Sequence, residues 1–589
     1  MASEHRHTKA TRSAAAILAT CALGCTSQSG VARPFPLRAP LTRDTDLQSV
    51  DIACRKEPTK KDPHHVSCAP AMYVSPLAWD GLDNSIFRPL ARVFAVAKSR
   101  ESLNANSLDE VADSSWFTNR LGARPVSVEE LKLGACERAQ FIDGDHAADG
   151  SWVVDQGKED GSTPGFRVNI PGKGKYLLKA DDKTAPERTT AASVIGAAAY
   201  NAVGFFTSCE QVVYFKPSVL KLTPGLHSED NSGAVKAFDE KALARVLASS
   251  TKRGERVRMQ ASAWLPGRLI GPFRYLTTRA DDPNDVIRHQ DRRELRGGRL
   301  LAAWLDHFDA REENTMDVWF ADKKEQPESS PGQVRHYYLD TSDCLGSEWA
   351  WNGISRRLGY SYLLDWGDIS LAFVQLGIPL RTWDRIERTP GEERFGYFNI
   401  RDFVADSWKN EYPNPAFTDM TERDGAWMAR KLARVTHEMV LALADMGDFE
   451  DPVSSAFLAR TLQGRLDKIL ERYLTRLSPV ADVHVVGTDR LCATDLLEAR
   501  GTRVPESFHD SARLLTTTLA LPVDRKGKGQ MCMSLPHVQA DGGLPDDAKE
   551  RYVRVAIGDG VARGLLIVHL YDLGPSRGYR LVGLERPEP

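Results

Sequence analysis

The hydrophobic period of the chain switches twice between residues 165 and 217, and this limits the folds open to it. "GFRVNI" (165–170), "GKYLLKA" (174–180) and "QVVYFKP" (211–217) alternate and carry β-branched or aromatic residues, so each predicts a strand. Between the last two, "APERTTAASVIGAAAYNAVG" (185–204) predicts a helix. Pro186 suits its first turn, the Ala-rich interior propagates it, and Gly204 ends it. A further strand, "VRMQASAWL" (257–265), follows a charged helical stretch around 237–256.

Downstream the pattern turns helical. "DRRELRGGRLLAAWLD" (291–306) predicts a helix that delivers "HFDAREEN" (307–314) at its C-terminal end. "TMDVWF" (315–320) and "VRHYYLD" (334–340) predict a hairpin across a polar loop. A helix capped by Thr421 with Asp424 carries Trp427, Leu432, Val435, Met439 and Leu443 on one stripe. Another spans about 453–477 with Phe457, Leu462, Leu466, Ile469 and Tyr473. After 480, "RYVRVAI", "GLLIVHLYDL" and "GYRLVGLE" predict a small β-rich domain. The fold class read from this order is α+β.

With 589 residues and 42 % apolar content the chain can bury a large core. A net charge of -3 with both signs interspersed does not suggest a general nucleic-acid binder. His5, Arg6, His7, Lys9 and Arg12 form a basic leader before the apolar run "AAAILATCALGC" (14–25), which suits a secretory signal and is too short to span a bilayer. Its end resembles a bacterial lipobox with Cys25 as the lipidated residue, and Cys21 is the rival site. A cleaved signal without lipid is the plainer alternative. Residues 26–75, rich in Pro, Arg, Asp, Lys and Ser, predict a flexible tether. Nine Cys are too few for a disulfide scaffold, although Cys54 and Cys68 can pair in an oxidising compartment. No Cys/His cluster has zinc spacing.

Phosphoryl transfer needs a cation on the phosphates, oxygens to hold a metal ion, and a carboxylate at the attacking hydroxyl. His307, Asp309 and Asn314 have the spacing H-x-D-x-x-x-x-N that meets two of these needs. Asp309 would orient or deprotonate the acceptor, Asn314 would bind Mg²⁺, and Arg311 would hold the transferred phosphate as a bidentate cation. Asp340, ending the second hairpin strand, would hold the other face of the metal; taken alone it also reads as a turn cap. Lys179 at a strand end would reach the nucleotide phosphates, or is a solvated lysine. Glu187 is the natural ion-pair partner for it, or serves the helix dipole. Gly157, Gly161 and Gly165 in "GKEDGSTPGF" offer backbone N–H groups to cover phosphates.

The order Lys179, Glu187, Asp309, Asn314, Asp340 resembles the protein-kinase-like superfamily, most of all its atypical bacterial branches around HipA, the spore-coat CotH kinases and the phosphoinositide kinases. "HFDAREEN" is similar to the H-R-D-L-K-P-E-N loop, with Arg311 at the place of its Lys. "LDTSD" (339–343) is similar to the strand ending in D-F-G, with Thr341 and Ser342 in place of Phe and Gly. The resemblance implies a two-lobed fold: a β-rich N-lobe with one helix at 150–260, and a mostly helical C-lobe at 261–480. A signal peptide at 1–25, the tether, an extension at 76–149 packing on the N-lobe, and the β-rich domain at 481–589 complete the organisation. It implies ATP with Mg²⁺ or Mn²⁺, and a hydroxyl acceptor on a protein, lipid headgroup or small molecule. The leader adds a bacterial cell-envelope location outside the cytoplasm, through an N-terminal lipid. The alternative function is a catalytically silent nucleotide-binding or structural envelope lipoprotein.

Overall fold

Alternation of burial organises the largest sheet. A computed structural model of the chain describes residues 45–58, 62–93, 101–158, 163–229, 235–326, 329–346, 352–501, 511–515, 517–537, 551–558 and 564–588. The signal peptide, Cys21, Cys25 and Gly161 lie outside the described residues. Ala39–Pro589 form one compact unit. Strands β1 (Trp152–Lys158), β2 (Gly165–Ile170) and β3 (Gly174–Lys179) form an antiparallel meander. Helix α1 (Arg188–Val203) follows, then β4 (Phe206–Thr207), β5 (Glu210–Phe215) and β6 (Leu220–Leu222). Helix α2 (Glu240–Ser249) leads to β7 (Lys252–Arg253) and β8 (Arg256–Ala263). The sheet order is β5–β8–β3–β2–β1–β6, with β7 folded back on β8, and only the β1–β6 pair is parallel.

Helix α1 is enclosed on every side: all its residues except Asn201 are buried, the polar Arg188, Thr189, Thr190 and Ser193 among them. Its Ala-rich sequence lets neighbouring elements approach closely. Ala191, Ala192, Ile195 and Tyr200 join a large helical core with Leu300, Trp304, Trp427, Leu443 and Leu462. That core is built by α3 (Arg293–Leu305), α4 (Glu422–Leu432), α5 (His437–Met446) and α6 (Pro452–Leu474). The single stripe expected from Trp427 to Leu443 is split: α4 ends at Leu432 and Thr436 caps a new helix. Its apolar spacing carries no mark of the break, because Trp427, Leu432, Val435, Met439 and Leu443 all enter the same core. The sheet keeps its own core, among it Trp152, Phe166, Leu178, Phe215, Phe238 and Met259. A second sheet, β9 (Arg268–Leu269), β10 (Thr315–Ala321) and β11 (Gly332–Tyr338) with β4, carries the expected hairpin.

One organisational expectation changes. Residues 45–75 are not a tether: the buried Asp46 carboxylate accepts from the Ser115 N–H and hydroxyl, and Val50 bridges Gly332 through paired backbone bonds. Cys54 and Cys68 are disulfide-bonded, as are Cys136–Cys209 and Cys492–Cys532. The 76–149 extension packs on the 150–260 region, where the Thr118 and Leu121 N–H groups donate to the Gly204 and Ala202 carbonyls. Its Val111, Trp116, Phe117, Leu121 and Leu131 join the helical core, and Cys136 and Ile142, with Leu133 and Ala147 against them, the sheet core. After Val480 a four-stranded and a five-stranded sheet share a third core containing Leu491, Met531, Val555 and Val568, as the β-rich reading requires. With 30 % helix and 26 % strand over several sheets, the chain is a mixed α and β protein, compatible with α+β. Among the described residues no helix is long and apolar enough to cross a membrane.

Candidate active site

Lys179 closes β3, with Gly165 and Gln260 as its register partners on either side. Its Nζ lies 2.7 Å from Asp340 Oδ2, just past the end of β11. The lysine side chain is 6 % exposed and the aspartate 34 %, so a buried cation is capped by a carboxylate that still faces solvent. Burial pulls the Lys179 pKa down, but Asp340, with Glu210 and Asp343 nearby, outweighs burial and raises it. Burial pushes Asp340 upward; Lys179 and the hydrogen bonds from Ser342 reverse this and hold it below the ordinary carboxylate range. The Ser342 N–H donates to Asp340 Oδ1 at 3.1 Å, which fixes the carboxylate plane.

The loop "HFDAREEN" meets this pair through backbone bonds. Helix α3 stops at Asp306, whose left-handed φ of 55° turns the chain and whose carboxylate accepts from the Trp408 indole. His307 is buried with its Nδ1 2.9 Å from the Tyr200 hydroxyl. Burial lowers its pKa to about 4, against the pull of Asp343 and Asp340, so the imidazole is neutral near pH 7. Asn314 donates its Nδ2 to the Asp309 carbonyl at 2.6 Å, which fixes the amide and leaves Oδ1 as its acceptor atom. The Asn314 carbonyl accepts from the Leu339 and Asp340 N–H groups at 3.0 and 3.3 Å. Asp309, Asn314, Asp340 and Lys179 are therefore linked into one site.

Arg311 does not present a free fork for a phosphate. Its Nε lies 2.7 Å from Asp309 Oδ1 and its Nη1 2.9 Å from Glu411 Oε2, so it neutralises two carboxylates of the chain. Burial raises the Asp309 pKa well above its ordinary value; Arg311 opposes this, and Asp343 and Glu411 reinforce it. A carboxylate made more basic in this way suits accepting a proton from a hydroxyl.

Glu187 is not the partner of Lys179. It caps α1 at a left-handed φ of 65°, and its carboxylate is held by Arg253 at 3.2 Å, Arg394 at 2.9 Å and the Glu450 N–H at 3.1 Å. Gly157 and Gly165 are strand residues set by packing. A Cβ on Gly157 would stand 2.2 Å from the Phe238 ring, and one on Gly165 2.3 Å from the Leu178 carbonyl oxygen.

Four site residues escaped the sequence reading. Glu210 lies in a buried chain in which Gln260 Nε2 donates to it at 2.7 Å and Ser193 of α1 donates to Gln260 at 2.8 Å. Arg188 clamps the turn after Asp340 by donating to the Ser342 and Cys344 carbonyls at 3.0 and 3.1 Å. An arginine in the first turn of a helix opposes the dipole, and this was a readable sign of a specific partner. Asp343 and Glu411 had no spacing signal. Thr341 is locked as well: its hydroxyl donates to the Ser193 carbonyl at 3.0 Å, and a Cβ on Gly196 would fall 2.5 Å from its own Cβ.

Glu210 makes a pH prediction. Burial raises its pKa to about 7, opposed by Ser208, Ser262, Gln260 and Lys179. An acid that holds its proton more tightly when folded than when unfolded loses stability as the proton leaves. Folding stability should therefore decline as pH rises from the ordinary Glu value, about 4.3, to about 7, and level off above. Thermal unfolding across that range should show the slope, and Glu210→Gln should flatten it. An unchanged slope in the variant would rule out this carboxyl as its source.

No protein-family model, no curated protein and no solved structure matches the chain.

Proposed function

We propose that the chain is a lipid-anchored, extracytoplasmic phosphotransferase of kinase-like two-lobed architecture that uses Mg-ATP or Mn-ATP on a hydroxyl acceptor. The observation that carries this reading is the contact of Lys179 with Asp340 at 2.7 Å, across 161 positions of sequence, beside an Asn314 amide fixed on Asp309. Those residues fit the task. Asn314 Oδ1 and the exposed side of Asp340 would hold the metal ion, with phosphate oxygens completing its shell. The ion would neutralise charge on the phosphates.

The other roles follow from the positions. Lys179 would turn from Asp340 to the phosphates, with Glu210 remaining near its ammonium. Asp309 would accept the hydroxyl proton as the acceptor oxygen bonds to the γ-phosphorus and the bond to the β-phosphate oxygen breaks, releasing ADP. Arg311 would hold Asp309 and Glu411 in place. A second reading, a silent nucleotide binder or structural lipoprotein, is favoured by the three disulfides, which fit an oxidising compartment where ATP is scarce.

Thermal unfolding with ATP, with and without Mg²⁺ or Mn²⁺, tests the proposal. Ligand at a hundred times its dissociation constant stabilises a fold by about 2.7 kcal/mol, a readily measured rise. A metal-dependent rise is expected. No rise with either metal would remove the nucleotide from both readings.

A further inference from the structure

Residues 366–380, "WGDISLAFVQLGIPL", form the least expected surface of the molecule. Asp365 caps a helix, Trp366–Val374, by accepting from the Gly367 and Asp368 N–H groups. From Ile369 to Leu380 the sequence holds no charged residue, yet the helix buries none of its residues. Phe373, Val374, Leu376 and Ile378 are 78–83 % exposed, and Leu371 and Leu380 are exposed beside them. Single exposed apolar residues are ordinary; a contiguous run marks a contact surface.

A second apolar strip adjoins it. The Trp366 indole N–H donates at 2.7 Å to the Ser85 carbonyl, in the helical segment Leu77–Leu82, Asp83–Phe87 and Arg88–Val93. That segment leaves Trp79, Leu82, Phe87 and Leu90 exposed, with the Trp79 and Phe87 rings 5.6 Å apart. The strip is rooted on the acceptor side of the candidate site. Asp80 accepts from the Tyr412 hydroxyl, next to the Glu411 that holds Arg311, and Ser75 donates to Glu313 at 3.1 Å.

We propose that this surface lies on a lipid bilayer, with Phe373, Val374, Leu376 and Ile378 entering the interface, so that the hydroxyl offered to Asp309 belongs to a membrane-resident acceptor. Three observations favour a bilayer over a second copy of the chain. Side chains four-fifths exposed stand on a projecting tip, which a deformable medium accepts and a flat protein face does not. Trp79 and Trp366 border the tip, giving it the aromatic margin of an interfacial segment, and Arg381, Arg385 and Arg388 follow it among Asp365, Asp368, Asp384 and Glu387. The sequence also carries its own apolar leader, ending at Cys25, and the nineteen residues 26–44 reach at most about 65 Å beyond it. The bilayer contact stands on the surface alone; the acceptor class rests on the phosphotransferase reading.

The test uses the chain from Ala39 onward, which retains the compact unit and lacks the leader. It is sedimented with vesicles of phosphatidylcholine and phosphatidylglycerol. Most of the protein should pellet with lipid, and Phe373→Asp with Leu376→Asp should weaken partitioning about tenfold or more. Val374→Ser with Ile378→Ser, a milder pair, should weaken it in the same direction. Wild-type protein that stays in the supernatant, or variants that pellet equally, would overturn the proposal. So would a lipid-free dimer that the Asp pair converts to monomer, since the face would then belong to a second copy. The Mg-ATP thermal shift, measured on the same samples, should be equal in all of them. Vesicle binding without any such shift would uphold the bilayer contact and strike out the acceptor role.

Discussion

Asp309→Asn should lower phosphoryl transfer by about a thousandfold while leaving Mg-ATP binding intact. The substitution keeps the size of the side chain, and an amide oxygen can still lie against Arg311, whose Nε is 2.7 Å from the carboxylate. Arg311 also keeps Glu411 at 2.9 Å. Asn314 is anchored on the Asp309 carbonyl, a backbone atom the change does not touch. The contacts assigned to metal and nucleotide thus survive, and what is lost is the proton acceptor. Removing a buried carboxyl whose pKa burial raises also relieves the folded state, so unfolding of the variant is not expected. Transfer from γ-labelled ATP, with kcat and KM measured separately, should show the loss in kcat. Equal transfer by both proteins would assign the base elsewhere. A wild-type chain that binds Mg-ATP and transfers nothing to any acceptor would favour the silent binder.

Period and punctuation made much of the fold legible. "GFRVNI" became Gly165–Ile170 and "GKYLLKA" Gly174–Lys179, because half-buried strands must alternate. Gly204 ends α1 at a φ of 142°, and Thr421 with Asp424 forms the capping box that its spacing announced. The partners of charged side chains were not legible. Glu187 sits eight residues from Lys179 in sequence, yet its partners come from Arg253, Arg394 and Glu450. Such pairings depend on how distant loops converge, and no local period records them. Composition misled at residues 45–75 for a related reason. That segment is held by a disulfide, by Asp46 beneath Ser115, by the Val50 bridge and by a small apolar cluster of Ala69, Val50 and Ile52 on Ile270 and Trp319, so few of its residues need be apolar and its sequence resembles a tether.

Asp340→Ala should have the largest effect on the unliganded fold, because it strands the Lys179 ammonium in a buried position. Breaking one side of a buried pair costs about 3–5 kcal/mol; Asp340 retains solvent contact on 34 % of its side chain, so the lower end of that range is expected. Glu210 and Asp343 also remain near the cation and limit the loss. If the cost comes from the unpaired charge, Lys179→Met in the same chain should recover most of it, since an apolar side chain of similar length then fills the site. The pH dependence has a definite sign. The folded pKa of Asp340 lies below its ordinary value, so its contribution is complete above the ordinary Asp range, about 3.9, and is lost as pH falls through the folded value. Wild type and Asp340→Ala should therefore differ most near neutral pH and converge in strong acid. Calorimetric unfolding of wild type, Asp340→Ala and the double variant, each with and without Mg-ATP, measures both consequences together. The double variant should refold to near wild-type stability yet show no metal-dependent shift, because its two ligand-facing groups are gone. A double variant that still shows that shift would take the nucleotide away from Lys179 and Asp340, whatever its stability.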